Sequence, residues 1–144
     1  HTDSSKKIIY KIKINKNNKI ISKKVFKKLN PQEGSPDGMT IDINKNLWIA
    51  HYHGARISVL NTKAKLIHSI YLPAKNITNC AFGGQKNDQL FVTTATKGLN
   101  KADLQKFKYS GCLFSVKTNT KGILQKKFSY EYEKKRPLLR KNTH

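Results

Sequence analysis

Ser35-Pro36-Asp37-Gly38-Met39-Thr40-Ile41-Asp42-Ile43-Asn44-Lys45-Asn46-Leu47-Trp48-Ile49-Ala50 is the stretch from which the fold is read. Pro presets φ at the first corner of a turn, Asp can bond its own backbone, and Gly tolerates positive φ. Pro36-Asp37-Gly38 therefore reads as a turn, with a strand beginning near Gly38. Met39 to Ile43 alternates apolar and polar residues, Asn44-Lys45-Asn46 is a tight polar turn, and Leu47 to Ala50 is apolar and contains Trp48. The pattern predicts a β-hairpin whose first strand carries a carboxylate at its mouth.

Working outward, Ile8, Tyr10, Ile12 and Ile14 share one face and Lys7, Lys11 and Lys13 the other, which is the period of a half-buried strand. Asn15 to Asn18 is a turn, Ile20 to Phe26 a second strand whose pattern Lys23-Lys24 breaks, and Asn30 to Ser35 a polar connection. Beyond the hairpin come Arg56 to Leu60, the turn Asn61 to Ala64, and Leu66 to Leu72 ending at Pro73. Four strands joined by short turns make an up-and-down sheet. The pattern then repeats: Thr78-Asn79-Cys80-Ala81-Phe82 stands forty-one positions after Asp37-Gly38-Met39-Thr40-Ile41, and Leu90 to Thr93 echoes Leu47 to Ala50. His1-Thr2-Asp3 resembles the end of that same second strand in an earlier unit. A period of roughly 40 to 45 residues built from four short strands is that of a propeller blade.

In the third unit the link from Ala95 to Ser110 is enlarged, and Asn100 to Lys106 is expected to form one or two helical turns. Strands resume over Gly111 to Val116 and near Ile123, after the turn Thr118 to Gly122. From Lys126 onward the chain is rich in Lys, Glu and Arg. The expected organisation is a propeller segment over 1–125 and a basic C-terminal tail over 126–144.

At 144 residues and 16.5 kDa the length permits one domain. The net charge of +21 and a pI near 10.1 raise the prospect of a polyanion partner. Against it, only Arg56, Arg136 and Arg140 of the 29 basic residues are Arg, and the lysines are spread over turns and strand faces. Joint enrichment in Lys and Asn is also what an AT-rich coding sequence produces. A solvated, compositionally biased surface is the favoured reading, and nucleic acid is not an expected partner. No apolar run approaches the roughly 18 residues of a membrane-spanning helix, so no membrane association is expected. His1 is not an initiator Met and the sequence opens on what reads as the end of a strand, which suggests a fragment or processed chain without any targeting signal it had. Cys80 and Cys112 are far apart with no CxxC spacing. They read as buried free thiols, a disulfide being the alternative, and point to a reducing, cytoplasmic location.

The ordered set Pro36-Asp37-Gly38-Met39 with Asp42 and Leu47-Trp48-Ile49-Ala50, then Gly54-Ala55-Arg56, Cys80-Ala81-Phe82-Gly83-Gly84, Leu90-Phe91-Val92-Thr93 and Gly111-Cys112-Leu113-Phe114, resembles the C-terminal half of the SMP-30/gluconolactonase/regucalcin family. The resemblance implies an all-β fold, the C-terminal half (about three blades) of a six-bladed β-propeller. It implies a divalent metal ion in the central channel, Ca²⁺, Zn²⁺, Mn²⁺ or Mg²⁺, and metal-activated water opening a sugar lactone. Asp37 falls on the family's metal-binding aspartate, which is also its proposed base. The family's other ligands, a Glu and an Asn, have no counterpart here, so this chain is not expected to hold the complete site.

Among individual residues, Asp37 is either a turn residue or, on the resemblance, a metal ligand and catalytic group. His51 would lie opposite Gly38 if the hairpin turns at Asn44-Lys45, which puts it on the same rim, supporting a ligand or facing substrate. Thr78 and Asn79, the repeat counterparts of Asp37 and Gly38, are candidates to line the same channel. Trp48, Phe82 and Phe91 read as packing between blades rather than as a sugar platform. No Ser-His-Asp or Cys-His nucleophile and no phosphate-cradling loop is signalled. Two readings of other classes remain beside the hydrolase: a non-catalytic propeller half that assembles through its open sheets, and a lysine-rich polyanion binder.

Overall fold

A computed structural model describes residues 1–124, and its hairpins start from one piece of turn chemistry used three times. The Oδ1 atom of Asn15 accepts from the N–H groups of Asn17 and Lys19, both at 2.9 Å. Asp42 Oδ1 accepts from Asn44 and Asn46 at 2.9 and 2.8 Å, and Asn61 Oδ1 from Lys63 and Lys65 at 2.9 and 3.0 Å. In each turn the fourth residue is left-handed: Asn18, Lys45 and Ala64 have φ of 58°, 64° and 62°. The first side chain satisfies two donors that have no ladder partner, which offsets the roughly 1–2 kcal/mol that a left-handed L-residue costs. The strand register is thereby set locally, before any sheet packs.

The strands are β1 (Thr2–Asp3), β2 (Ile8–Ile14), β3 (Ile20–Lys28), β4 (Ser35–Ile41), β5 (Leu47–Tyr52), β6 (Arg56–Leu60), β7 (Leu66–Tyr71), β8 (Asn76–Gly83), β9 (Gln89–Ala95) and β10 (Leu113–Lys117), with one short helix, α1 (Lys101–Lys106). They form three antiparallel sheets, β1-β2-β3, β4-β5-β6-β7 and β8-β9-β10, each in chain order. β4 and β5 pack against β8 of the next sheet, and β1 of the preceding sheet meets β4, so that β4 and β8 lie side by side across the sheet boundary. The four-stranded sheet lies between the other two, and both of its faces are buried. Trp48, Ala50, Ile57 and Val59 pack with Ile77, Cys80, Leu90 and Val92 of the third sheet. Ile49 and Leu60 pack with Ile9 of the first. That is why Leu47 to Ala50 is an unbroken apolar run rather than an alternating one. Trp48 meets Phe82 edge to face at 5.2 Å across the sheet boundary.

Several expectations are corrected. Pro36-Asp37-Gly38 is not a turn before the strand: β4 begins at Ser35 and runs through it, because β5 extends to Tyr52 and offers it a ladder. The polar connection before it contains a 3-10 turn, Pro31–Glu33. The strand expected near Ile123 is a single bridge, Asp42 to Gly122, and the segment donates to and accepts from Ile41 and Ile43 of the middle sheet. Cys80 is buried but Cys112 is exposed, and both are free thiols. The expected basic tail over 126–144 lies outside the described residues. No helix among the described residues is long and apolar enough to cross a membrane.

Candidate functional site

Asp37 sits in a β-bulge at the inner rim. Pro36 pairs with His51 and Met39 with Ile49, leaving Asp37 and Gly38 to face Ala50 alone. The third sheet breaks its ladder at the equivalent place, where Ile77 pairs with Thr94 and Asn79 with Thr93, so Thr78 has no partner. Bulges re-aim one side chain while keeping the rest of a ladder in register. The two residues that the sequence repeat aligns, Asp37 and Thr78, are thus the two extra residues of the inner strands. Thr78 spends its hydroxyl on Thr93, Oγ1 to Oγ1 at 2.8 Å. Asp37 forms no ion pair among the described residues. It is half-buried, and that burial raises its carboxyl above the usual aspartate range against a lowering contribution from the Gly38 N–H.

Gly38 and Asn79 are brought together. A Cβ on Gly38 would run into the Asn79 amide and lie 2.7 Å from the Asn79 Cα. Only a residue without a side chain lets β4 and β8 approach this closely. The Asn79 Oδ1 accepts from the N–H of Cys80 at 2.8 Å, which holds the amide against that gap.

His51 is opposite Pro36, not Gly38, since the turn is centred on Asn44 and the bulge shifts the register. It is fully buried, at 0 % exposed, so it does not face the open inner surface. Its Nδ1 lies 2.7 Å from the carbonyl oxygen of Glu33 and must carry the proton, because a carbonyl only accepts. The Nε2 atom is a buried lone pair with no partner among the described residues. Burial pushes the imidazole below the usual histidine range, so the ring is neutral.

Sequence reasoning passed over the groups that hold this segment. Glu33 Oε1 is bound by Arg56 Nη2 at 2.6 Å, and its Oε2 accepts from the Asn30 N–H at 2.7 Å. Burial alone would raise the Glu33 carboxyl, but Asn30 and Arg56 together hold it below the usual range. Asn30 and Glu33 are spaced as a capping box, which was the available signal. Next to it Gly34, at φ 80°, packs so closely on Tyr52 and Gly54 that a Cβ would lie 2.8 Å from the Gly54 nitrogen. Ser4 Oγ, from the first sheet, donates to the Pro36 carbonyl at 2.7 Å. The bulge is therefore gripped by Ser4 on one side, by Asn79 on the other, and by the Glu33–His51 contact beneath.

The enlarged link after β9 is tied to the same rim. Asn76, fully buried, donates to the Lys97 carbonyl at 2.9 Å and accepts from the His53 N–H at 3.2 Å. Tyr52 Oη donates to the same carbonyl at 2.9 Å. Asn100 caps α1 through the Asp103 N–H at 2.8 Å, and Lys75 bonds the Asp103 carboxylate at 2.6 Å. Grooves of about 290, 360 and 660 Å³ open elsewhere on this surface, and none is lined by Asp37, His51, Thr78 or Asn79.

Asp37 fits a hard cation as a single ligand: a desolvated carboxylate without a counter-charge is what a divalent ion neutralises. The described residues supply no set of three His, Cys, Asp or Glu groups that could hold an ion alone. His51 offers only a buried nitrogen, and Thr78 has its hydroxyl engaged.

Three antiparallel sheets, each in chain order and packed face to face, make this a segment of a β-propeller. The chain belongs to the SMP-30/gluconolactonase/LRE-like family, whose model matches residues 1–96. A Bacillus subtilis protein provisionally named a sugar lactone lactonase is 42 % identical over 91 residues, 62 % of this chain and 31 % of its own length. A luciferin-regenerating enzyme of known structure superposes with a TM-score of 0.76 at 29 % identity, over 85 % of this chain and 42 % of that one. A calcium-binding protein, regucalcin, from Agrobacterium tumefaciens shares the fold with a TM-score of 0.78 at 21 % identity over the same shares. The chain spans about a third of the length of the first curated relatives it matches, 31 % and 30 % for two of them.

Proposed function

We propose that this chain supplies part of the active site of a metal-dependent hydrolase acting on sugar lactones, and that Asp37 is the carboxylate it contributes. The observation that carries the reading is the Asp37 bulge: an inner-rim carboxylate, half-buried and without an ion pair among the described residues. Membership of the family and the lactonase name of the Bacillus relative support the substrate class. The calcium-binding description of the Agrobacterium protein supports a divalent ion, with Ca²⁺, Zn²⁺, Mn²⁺ and Mg²⁺ as the candidates. Such an ion supplies a Lewis acid that polarises an ester carbonyl.

The chain's own residues do the rest of what is proposed. Asp37, its carboxyl raised by burial, accepts a proton from the attacking water more readily than an ordinary aspartate would. Ser4, His51 and Asn79 hold its backbone so that the carboxylate keeps one direction. The test, on the full-length protein in which the rest of the propeller is present, is a calorimetric titration with Mn²⁺ and Ca²⁺ beside an assay of gluconolactone hydrolysis. Asp37→Ala should abolish metal-dependent turnover, and turnover at the parent rate would end this reading.

A second reading rests on the apolar residues that the outer sheets leave in solvent. Ile14, Ile20, Ile21 and Val25 on the first sheet are 56 to 64 % exposed, and Leu113 on the last is 66 % exposed. We propose that these faces meet further sheets, from another copy or another segment. A monodisperse monomer by size-exclusion chromatography at high concentration would count against self-assembly.

A further inference from the structure

The groove between the first and middle sheets is mostly apolar with a basic flank, His1, Tyr10 and Thr62 completing its lining. Ile9, Phe26, Met39 and Leu47 contribute apolar walls, and Lys11 and Lys45 flank them. Its volume is about 360 Å³, at the lower end of the roughly 300–1,000 Å³ of small-molecule sites. Among the described residues no carboxylate lines it, and neither Lys11 nor Lys45 enters an ion pair.

The charge around it is uncompensated for a structural reason. Lys11 stands directly opposite Lys24 on the β2–β3 ladder, so two ammonium groups share one face of the sheet. Like charges placed opposite each other on a ladder destabilise it. The stretch from Ser4 to Gln32 holds ten lysines and no Asp or Glu, and among the described residues only Lys6 of these pairs with a carboxylate, that of Asp3 at 3.4 Å. An anion at the groove mouth would relieve this charge.

We propose that this groove binds a small amphipathic organic anion of the fatty-acid type, with its chain on Met39 and Leu47 and its head group between Lys11 and Lys45. The apolar walls exclude a fully polar anion such as free phosphate as the best-fitting occupant, and the lysines exclude an amphipathic cation. The site is separate from Asp37, which does not line it.

Met39 is the chain's single methionine and therefore a reporter inside the groove. In the full chain with a ¹³C-methyl label on methionine, assigned through Met39→Leu, octanoate should move the Met39 resonance saturably. Octylammonium should not. The surface double variant Lys11→Glu, Lys45→Glu should weaken octanoate about tenfold, as the loss of two partly exposed ion pairs would, and 0.5 M NaCl should weaken it in the same direction. Leu47→Gln, at the wall, should weaken it without changing the salt dependence. No saturable shift, an equal response to octylammonium, or undiminished binding by the double lysine variant would each overturn the proposal.

Discussion

Gly38 on β4 and Asn79 on β8 touch across the boundary of two sheets, so closely that the Cα of Asn79 would lie 2.7 Å from any Cβ at position 38. The contact is between inner strands, next to Asp37. Gly38→Ala must push the sheets apart or deform the bulge, because backbone, not a flexible chain end, stands in the way. The expected loss is about 1–3 kcal/mol, as for other overpacking changes. Urea unfolding checks it, and Asn79→Gly should recover only part of the loss, since the Asn79 backbone stays where it is.

The hairpin carries two aspartates with opposite roles. Asp42 is 1 % exposed and accepts from Asn44 and Asn46 N–H groups, from Asn46 Nδ2 at 3.0 Å and from Trp48 Nε1 at 3.0 Å. Asp42→Ala strands the buried Trp48 indole N–H and unties the turn donors of Asn44 and Asn46, and should cost about 3 kcal/mol. Thermal melting is the check, and gluconolactone turnover per folded molecule should stay unchanged.

Asp37 should behave in the reverse way. Its carboxyl is raised, so ionisation costs folding free energy: that contribution favours the fold below the ordinary aspartate pKa and is lost as pH rises through the higher folded value. Without added metal, Asp37→Asn should therefore melt at the same temperature as the parent or higher at pH 7, the gap closing below about pH 4. With millimolar Mn²⁺ or Ca²⁺ the parent should gain stability and the variant should not.

His51 gives a second pH signature. Its folded pKa is depressed, so the unfolded chain takes up a proton that the native ring refuses, and stability present above about pH 6.5 is lost as pH falls toward the folded value. Denaturation curves between pH 7.5 and 5 should show this slope. His51→Gln, which keeps a donor for the Glu33 carbonyl, should flatten it; an unchanged slope would mean that another group is responsible.

The thiols should separate by reactivity. Burial pushes Cys80 up to about 12, and its Sγ lies 3.6 Å from the Trp48 carbonyl oxygen, whereas Cys112 is exposed. Native protein should react with one equivalent of a thiol reagent such as Ellman's, and unfolded protein with two. Fast reaction of both in the native state would contradict the packing of the middle and third sheets.

Much of the fold is legible in the residues because its cues are local. Asn15, Asp42 and Asn61 bond their own turns, Ile8 to Ile14 alternates, and the forty-one-residue repeat aligns Asp37 with Thr78. Asn100 announces the start of α1 for the same reason: a side chain satisfies a backbone donor three residues away.

What the sequence alone determined, then, is the strand order, the turns that follow Asn15, Asp42 and Asn61, the blade-like period and the presence of a carboxylate at one inner strand. Tertiary structure decided which residues are extra in the ladder, since Pro36-Asp37-Gly38 becomes a bulge only when β5 lies beside it and β8 presses on Gly38. It also decided that Asp42 is buried and committed while Asp37 forms no ion pair among the described residues, and that His51 is enclosed against Glu33. The physical reason is distance along the chain. A side chain can bond its own turn wherever it is, but burial and the close approach of two backbones depend on partners tens of residues away, and a single stretch of sequence carries no record of them.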